Sequence, residues 1–147
     1  MKTGENTKLV IKRVFHAPRA RVYEAWTDPA QLRDWFVPEG VHTRSIAADV
    51  RVGGKYRWDL VTQQGEEWAA FGEYRDLVPE KKIVFTWQWD DDEVWENQIS
   101  IVTVELFDCT GGTELMLTHE QLPSAESRDR HNEGWNSLLN RLEQFLV

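Results

Sequence analysis

Two histidines and a set of tryptophans hold the side chains best suited to chemistry in this sequence. His131 precedes Trp135 by four residues, one helical turn, so the two share a helix face. His119 alternates with Leu117 and Leu115 in a β-rich run, which puts it on their face near the end of that run. The two imidazoles are expected to approach one another at the mouth of any cavity between helix and strand. There they would orient a ligand's polar end or act as a general acid/base pair. The simpler reading is two buried, hydrogen-bonded structural histidines. Eight tryptophans in 147 residues are the odd feature of the composition. Trp58, Trp68, Tyr74, Phe85, Trp87 and Trp89 fall at alternating, inward positions, and Trp135 lies on the apolar stripe of a terminal helix. Each such ring can bury about 150–250 Å². Rings so placed either fill a core or edge an apolar pocket, and the spacing alone leaves both open. A buried indole N–H needs an acceptor, so either arrangement requires acceptors nearby.

Other chemistries find no support. A Gly-x-Ser-x-Gly elbow is absent, and Cys109, the single cysteine, has no base beside it in sequence. Gly53-Gly54 and Gly111-Gly112 precede strands rather than helices, so neither is a phosphate loop. The sequence lacks the clustered His or Cys spacing that zinc needs, and neither a metal nor another cofactor is expected. The run Asp90-Asp91-Asp92-Glu93 lacks the spaced ligands and central glycine of a calcium loop and reads as a solvated hairpin loop. Charged residues within strands, Arg57, Asp59 and Arg75 among them, point mostly outward. Asp49 and Glu73 are the carboxylates to check for burial and a base's role. Gly134 costs a helix about 1 kcal/mol relative to Ala, and close approach to a strand or to a ligand would explain it, packing being the simpler of the two. Gly72, among bulky strand neighbours, reads as a bulge.

The elements that must position these residues follow from the periodicity. Leu9 to Phe15 reads as a strand. Pro18 opens a helix over 18–27, and Asp28 caps a second, with Pro29 at its first position, ending near Trp35-Phe36. From residue 43 the period becomes two. Strands follow over 43–50, around Tyr56-Trp58-Leu60, around Trp68 to Tyr74, and around Ile83 to Trp89. Two more lie at 97–107 and 113–120. The short turns between them predict an antiparallel meander. Ser124 caps the last helix, whose stripe is His131, Trp135, Leu138, Leu139, Leu142, Phe145 and Leu146. That stripe must be buried against the sheet. The expected fold is α+β, one domain over 1–147. It has about six to seven curved antiparallel strands on a long C-terminal helix and two short helices after the first strand.

Composition narrows the partners. Lys plus Arg is 17 against 25 Asp plus Glu, a net charge of −8, which excludes a nucleic-acid footprint and attraction to anionic membranes. The N-terminal residues lack an apolar h-region, and no run is long enough to span a membrane. A cytoplasmic location is expected.

The combination of these segments resembles a known family. Phe15-His16-Ala17-Pro18, Val22 to Pro29, Leu32 with Trp35, Arg51-Val52-Gly53-Gly54 and Gly72-Glu73-Tyr74 resemble the START-like, or SRPBCC, superfamily. So do Val84-Phe85-Thr86-Trp87, Gly112 to Leu115, Thr118-His119 and Gly134 to Leu142. Their order from about residue 9 onward is similar to the C-terminal domain of the activator of heat-shock protein 90 ATPase and its stand-alone relatives. The resemblance implies a helix-grip fold with a hydrophobic cavity between the sheet and the last helix, and it favours the pocket reading of the rings. Family members bind apolar small molecules, and a few are cyclases or hydrolases. The resemblance also implies contact with a chaperone, although the activator has a separate N-terminal domain that 147 residues are too few to include. A small apolar or aromatic ligand is therefore the expected partner, lined by Trp58, Trp68, Tyr74, Phe85, Trp87, Trp89, His119, His131 and Trp135. No catalytic residue is assigned. The alternatives are a cyclase- or hydrolase-type enzyme using a cavity histidine or carboxylate, and a chaperone-interacting module. A homodimer, with Trp95 as one contact, is left open.

Overall fold

The computed structural model describes residues 7–38, 40–90 and 98–147. The N-terminal segment 1–6, most of the acidic run (91–93) and Trp95 lie outside these residues. The elements run β1 (Leu9–Phe15), α1 (Arg19–Thr27), α2 (Pro29–Trp35), β2 (Val41–Ala48), β3 (Lys55–Thr62), β4 (Glu67–Val78), β5 (Lys82–Trp89), β6 (Ser100–Cys109), β7 (Gly112–Glu120) and α3 (Ala125–Leu146). The strands form one antiparallel sheet in the order β1-β7-β6-β5-β4-β3-β2. This is the α+β helix-grip arrangement that the order of elements predicts.

Local chemistry explains the helix ends. Asp28 accepts a hydrogen bond from Ala30 N (3.0 Å) and so caps α2, with Pro29 at its start. Ser124 Oγ accepts from Ser127 N (3.0 Å) and caps α3. Pro18, expected inside the first turn of α1, instead occupies the cap position with extended backbone, and the helix begins at Arg19. Strand ends also shift from their expected places. β2 lies two residues earlier than 43–50, because Asp49 to Gly54 form the turn, with Asp49 N bonded to Lys55 O. β6 starts at Ser100 rather than 97 and continues to Cys109, paired with Gly112.

Helix α3 buries Trp135, Leu138, Leu139 and Leu142. Its outer edge is tied to β1: the Arg13 guanidinium donates to Asn140 Oδ1 (2.7 Å) and Asn136 Oδ1 (3.0 Å). β1 pairs with β7, the strand leading into α3, so both ends of the chain close one side of the sheet. Helices α1 and α2 contact α3 and send Val22, Ala25, Trp26, Leu32 and Trp35 into the same core. Among the described residues, no helix is long and apolar enough to cross a membrane.

Candidate functional site

A cavity of about 320 Å³ lies between the first turns of α3 and strands β3, β4 and β5. The alternation of the strands aims Trp58 and Leu60, Trp68, and Trp87 and Trp89 at it. From α3 come Ser127, Arg130, His131, Gly134, Trp135 and Leu138. These helix positions are three and four apart, so they form one face. The residues linking α2 and β2 supply Pro38 at the rim.

The rings predicted to face inward divide into groups. Trp58, Trp68, Trp87, Trp89, His131 and Trp135 line the cavity. Trp68 stands at its edge, 41% exposed and edge-on to Trp89 with centroids 5.8 Å apart. Tyr74 and Phe85 lie deeper, around a void of only about 30 Å³ that Trp26, Phe36 and Tyr56 also line. Phe36 stands between the two spaces, with its ring 4.9 Å from Trp58, 6.0 Å from Trp135 and 6.4 Å from Trp87. Burial pushes the Tyr74 hydroxyl up to about 12, so it stays protonated at neutral pH.

The histidines do approach one another, with ring centroids 5.0 Å apart, but His119 is wholly buried rather than at a mouth. Its partners determine its tautomer. Ser100 Oγ donates to Trp87 O (2.5 Å), so the serine oxygen must accept from His119 Nε2–H at 2.8 Å. His119 Nδ1 then accepts from the Trp135 indole at 3.0 Å. His131 has the opposite tautomer. Its Nδ1–H donates to Ser127 O (2.7 Å), and its bare Nε2 accepts from both Trp89 (2.9 Å) and Trp87 (3.3 Å). A proton added to either ring would face an indole N–H head-on. Burial, aided by the neighbouring His131, holds His119 well below the usual imidazole range. Burial lowers His131 too, outweighing the Ser127 carbonyl, which raises it, and Arg130 lowers it further. Both imidazoles are thus neutral acceptors that satisfy the indoles of the wall. Trp58 finds its acceptor in Thr43 Oγ1 (3.0 Å).

Asp49 and Glu73 do not reach the site. Asp49 is exposed and paired with Arg51 (2.8 Å), and Glu73 faces Arg75 (3.4 Å). Glu73 lies in β4, and Asp49 lies in the turn after β2. The glycines also differ from expectation. Nothing lies within 4 Å of where a Cβ on Gly134 would stand, so this glycine leaves room in the cavity rather than admitting a strand. At Gly72 a Cβ would stand 2.1 Å from Thr86 O, and the register shift of β4 on β5 falls further along, between Tyr74 and Asp76. Gly72 therefore serves a close strand approach, not a bulge.

Sequence reasoning missed Ser100, Thr43, Ser127 and Arg130. One signal was available: the α3 face reads Ser127, Arg130, His131, Gly134 before it turns apolar at Trp135 and Leu138. A stripe that starts small and polar cannot fill the space over it. Among the described residues, no group of three or more His, Cys, Asp or Glu could hold a metal ion.

Together the grip of sheet on terminal helix and the ring-lined space beneath it define a START-like domain, a ligand-binding fold. The chain belongs to the family described as Activator of Hsp90 ATPase homolog 1-like protein, which it matches over residues 16–147. The human protein named Activator of 90 kDa heat shock protein ATPase homolog 1 is 37% identical over 65 residues, 44% of this chain but 18% of that protein. The chain thus matches under a fifth of the length of this curated relative. Among solved structures, protein CV1439 from Chromobacterium violaceum is 31% identical, with a TM-score of 0.88 over 95% of this chain and 96% of that one. The AHSA1 (SPO3351) protein from Silicibacter pomeroyi is 29% identical, with a TM-score of 0.82 over 93% and 95%.

Proposed function

We propose that this protein binds a small apolar or aromatic molecule in the cavity under the first turns of α3. The observation that carries this reading is the wall: indole rings around about 320 Å³, with Gly134 opening the helix side. That volume falls within the usual range for small-molecule sites, roughly 300–1,000 Å³. Burying a ligand's apolar surface there contributes about 25 cal/mol per Å² before ordering costs. Trp58, Trp68, Trp87, Trp89 and Trp135 would contact the ligand. His131 would hold the Trp87 and Trp89 rings, and His119 would hold Trp135. Tyr74 and Phe85 would support the wall from behind. The test is native mass spectrometry of gently purified protein, with denaturing extraction of anything bound. A discrete added mass is expected in the native chain and absent from Gly134→Leu, whose side chain enters the cavity. The same mass on both proteins would place the ligand elsewhere.

An enzymatic reading needs a base with a free lone pair in the cavity. The imidazole nitrogens are engaged, and Asp49 and Glu73 lie on the outside, so the geometry favours binding over proton transfer. Contact with a chaperone is a second reading, supported by the similarity to the human activator. Stimulation of the 90 kDa heat shock protein's ATPase by the purified chain would support it, and no change at saturating protein would remove it.

A further inference from the structure

The wall of the cavity withholds the ring nitrogens of its buried indoles and imidazoles from any ligand. Thr43 takes the Trp58 indole, His131 takes those of Trp87 and Trp89, and His119 takes that of Trp135. The His131 Nδ1 proton goes to Ser127 O. Apart from the Thr62 and Ser127 hydroxyls, a molecule entering this space meets ring faces and hydrocarbon. A polar atom carried among the indoles would lose water and find their N–H groups already taken, which is costly.

Arg130 is the exception. Among the described residues it is the one lining residue with a charge. It stands one turn before Gly134 on the same face of α3, and its side chain is 61% exposed, so its guanidinium sits at the boundary of cavity and solvent. Its ion pair with Glu126 is long, 3.6 Å, between two largely exposed side chains, and such pairs contribute little. The guanidinium fork therefore remains available to a better partner, and its geometry matches a carboxylate.

From this division we infer that the cavity takes an amphipathic anion: an apolar or aromatic body held among the indoles, with one carboxylate on Arg130 at the mouth. The inference rests on the cavity being a ligand site. A cationic ligand would face Arg130 with no lining carboxylate among the described residues to receive it. The chain's net charge of −8 opposes anions at long range, but salt screens that field beyond roughly 8 Å, so the choice is local.

The test is calorimetric titration with probes that share one ring system: 2-naphthylacetate, its methyl ester and 2-(2-naphthyl)ethylamine. The acid is expected to bind the native protein about fivefold to tenfold tighter than the ester, with the amine weakest. Arg130→Gln should abolish the acid's advantage and leave the ester unchanged, Arg130→Lys should keep part of it, and Glu126→Gln should increase it. Equal binding of acid and ester to the native protein overturns the anion assignment alone. So does equal weakening of both by Arg130→Gln. If none of the probes binds, the cavity reading fails and this inference fails with it.

Discussion

At the α1–α2 end of the sheet, Trp26, Trp35 and Phe36 pack edge-to-face with centroids 4.9–6.3 Å apart, and the space left beside them is about 30 Å³. At the other end, Trp58, Trp87 and Trp89 stand 5.6–6.2 Å apart, yet a space ten times larger remains. The two ends hold similar rings at similar separations. They differ in what the helices bring. The closed end receives two large indoles and a phenyl from α1, α2 and the residue after it. The open end receives Arg130, His131, Trp135 and Leu138 from α3, but Ser127 and Gly134 leave gaps between them. Aromatic content therefore does not decide whether a grip is filled; small residues in the helix face over the sheet do.

Substitution should separate the ends most sharply. Trp35 is buried, and its indole donates to Ala25 O (2.8 Å). Trp35→Ala is expected to cost about 3–5 kcal/mol in a urea melt. Trp89, only half-buried, borders open space, so Trp89→Ala should cost about half as much or less while removing ligand uptake. Equal losses in the two melts would mean that the open end is as tightly packed as the closed one.

Acid should act through the open end. His119 and His131 are held below the ordinary imidazole value of about 6.5, which an unfolded chain would show. Above that value both states are neutral and pH has no effect. As pH falls below it, the unfolded chain takes up protons that the native chain refuses, and stability declines until the depressed native values are reached. Each histidine contributes at most about 1.4 kcal/mol per pH unit in that window. Urea melts from pH 7.5 to 5 should show the decline, and His131→Gln, which keeps an acceptor for the indoles, should flatten it. A native protein whose stability is level from pH 7.5 to 5 would contradict the neutral-acceptor assignment.

The smallest effect concerns the glycines. Gly134→Ala should stabilise the protein by up to about 1 kcal/mol, since Ala is the better helix former and its methyl group meets only space. Gly72→Ala should destabilise it, because its methyl group would collide with Thr86 O. Opposite signs would sharpen the contrast between open helix face and tight sheet. A loss of stability at Gly134 would mean that the helix backbone there is pressed after all.

Most of the framework was readable because it is local. Alternation aimed Trp58, Phe85, Trp87 and Trp89 inward, and the four-residue spacing of His131 and Trp135 placed them on one face. What escaped depends on contacts between distant segments. Phe36 closes one end through the path of the chain after α2, and the opposite tautomers of the histidines depend on Ser100 and the Ser127 carbonyl. The deep position of His119 was unreadable for the same reason. A strand's period gives the face a side chain takes but not the depth of what covers it. At Gly134 the spacing left strand and ligand both open, and the simpler packing reading does not hold, because a helix glycine marks both a tight contact and an empty one.

The crowding of the indoles also has an optical consequence. From Trp35 through Trp26, Trp135, Trp87 and Trp89 to Trp68, successive ring centroids lie 4.9, 6.3, 5.2, 5.6 and 5.8 Å apart. At such separations light absorbed by one ring passes readily to the next, so the array emits as a coupled set rather than as separate fluorophores. The chain runs from the filled end, past the cavity, to a ring at the surface. A molecule resting on Trp89 would sit astride that path and dim light absorbed far from it, so the protein reports its own occupancy without a label.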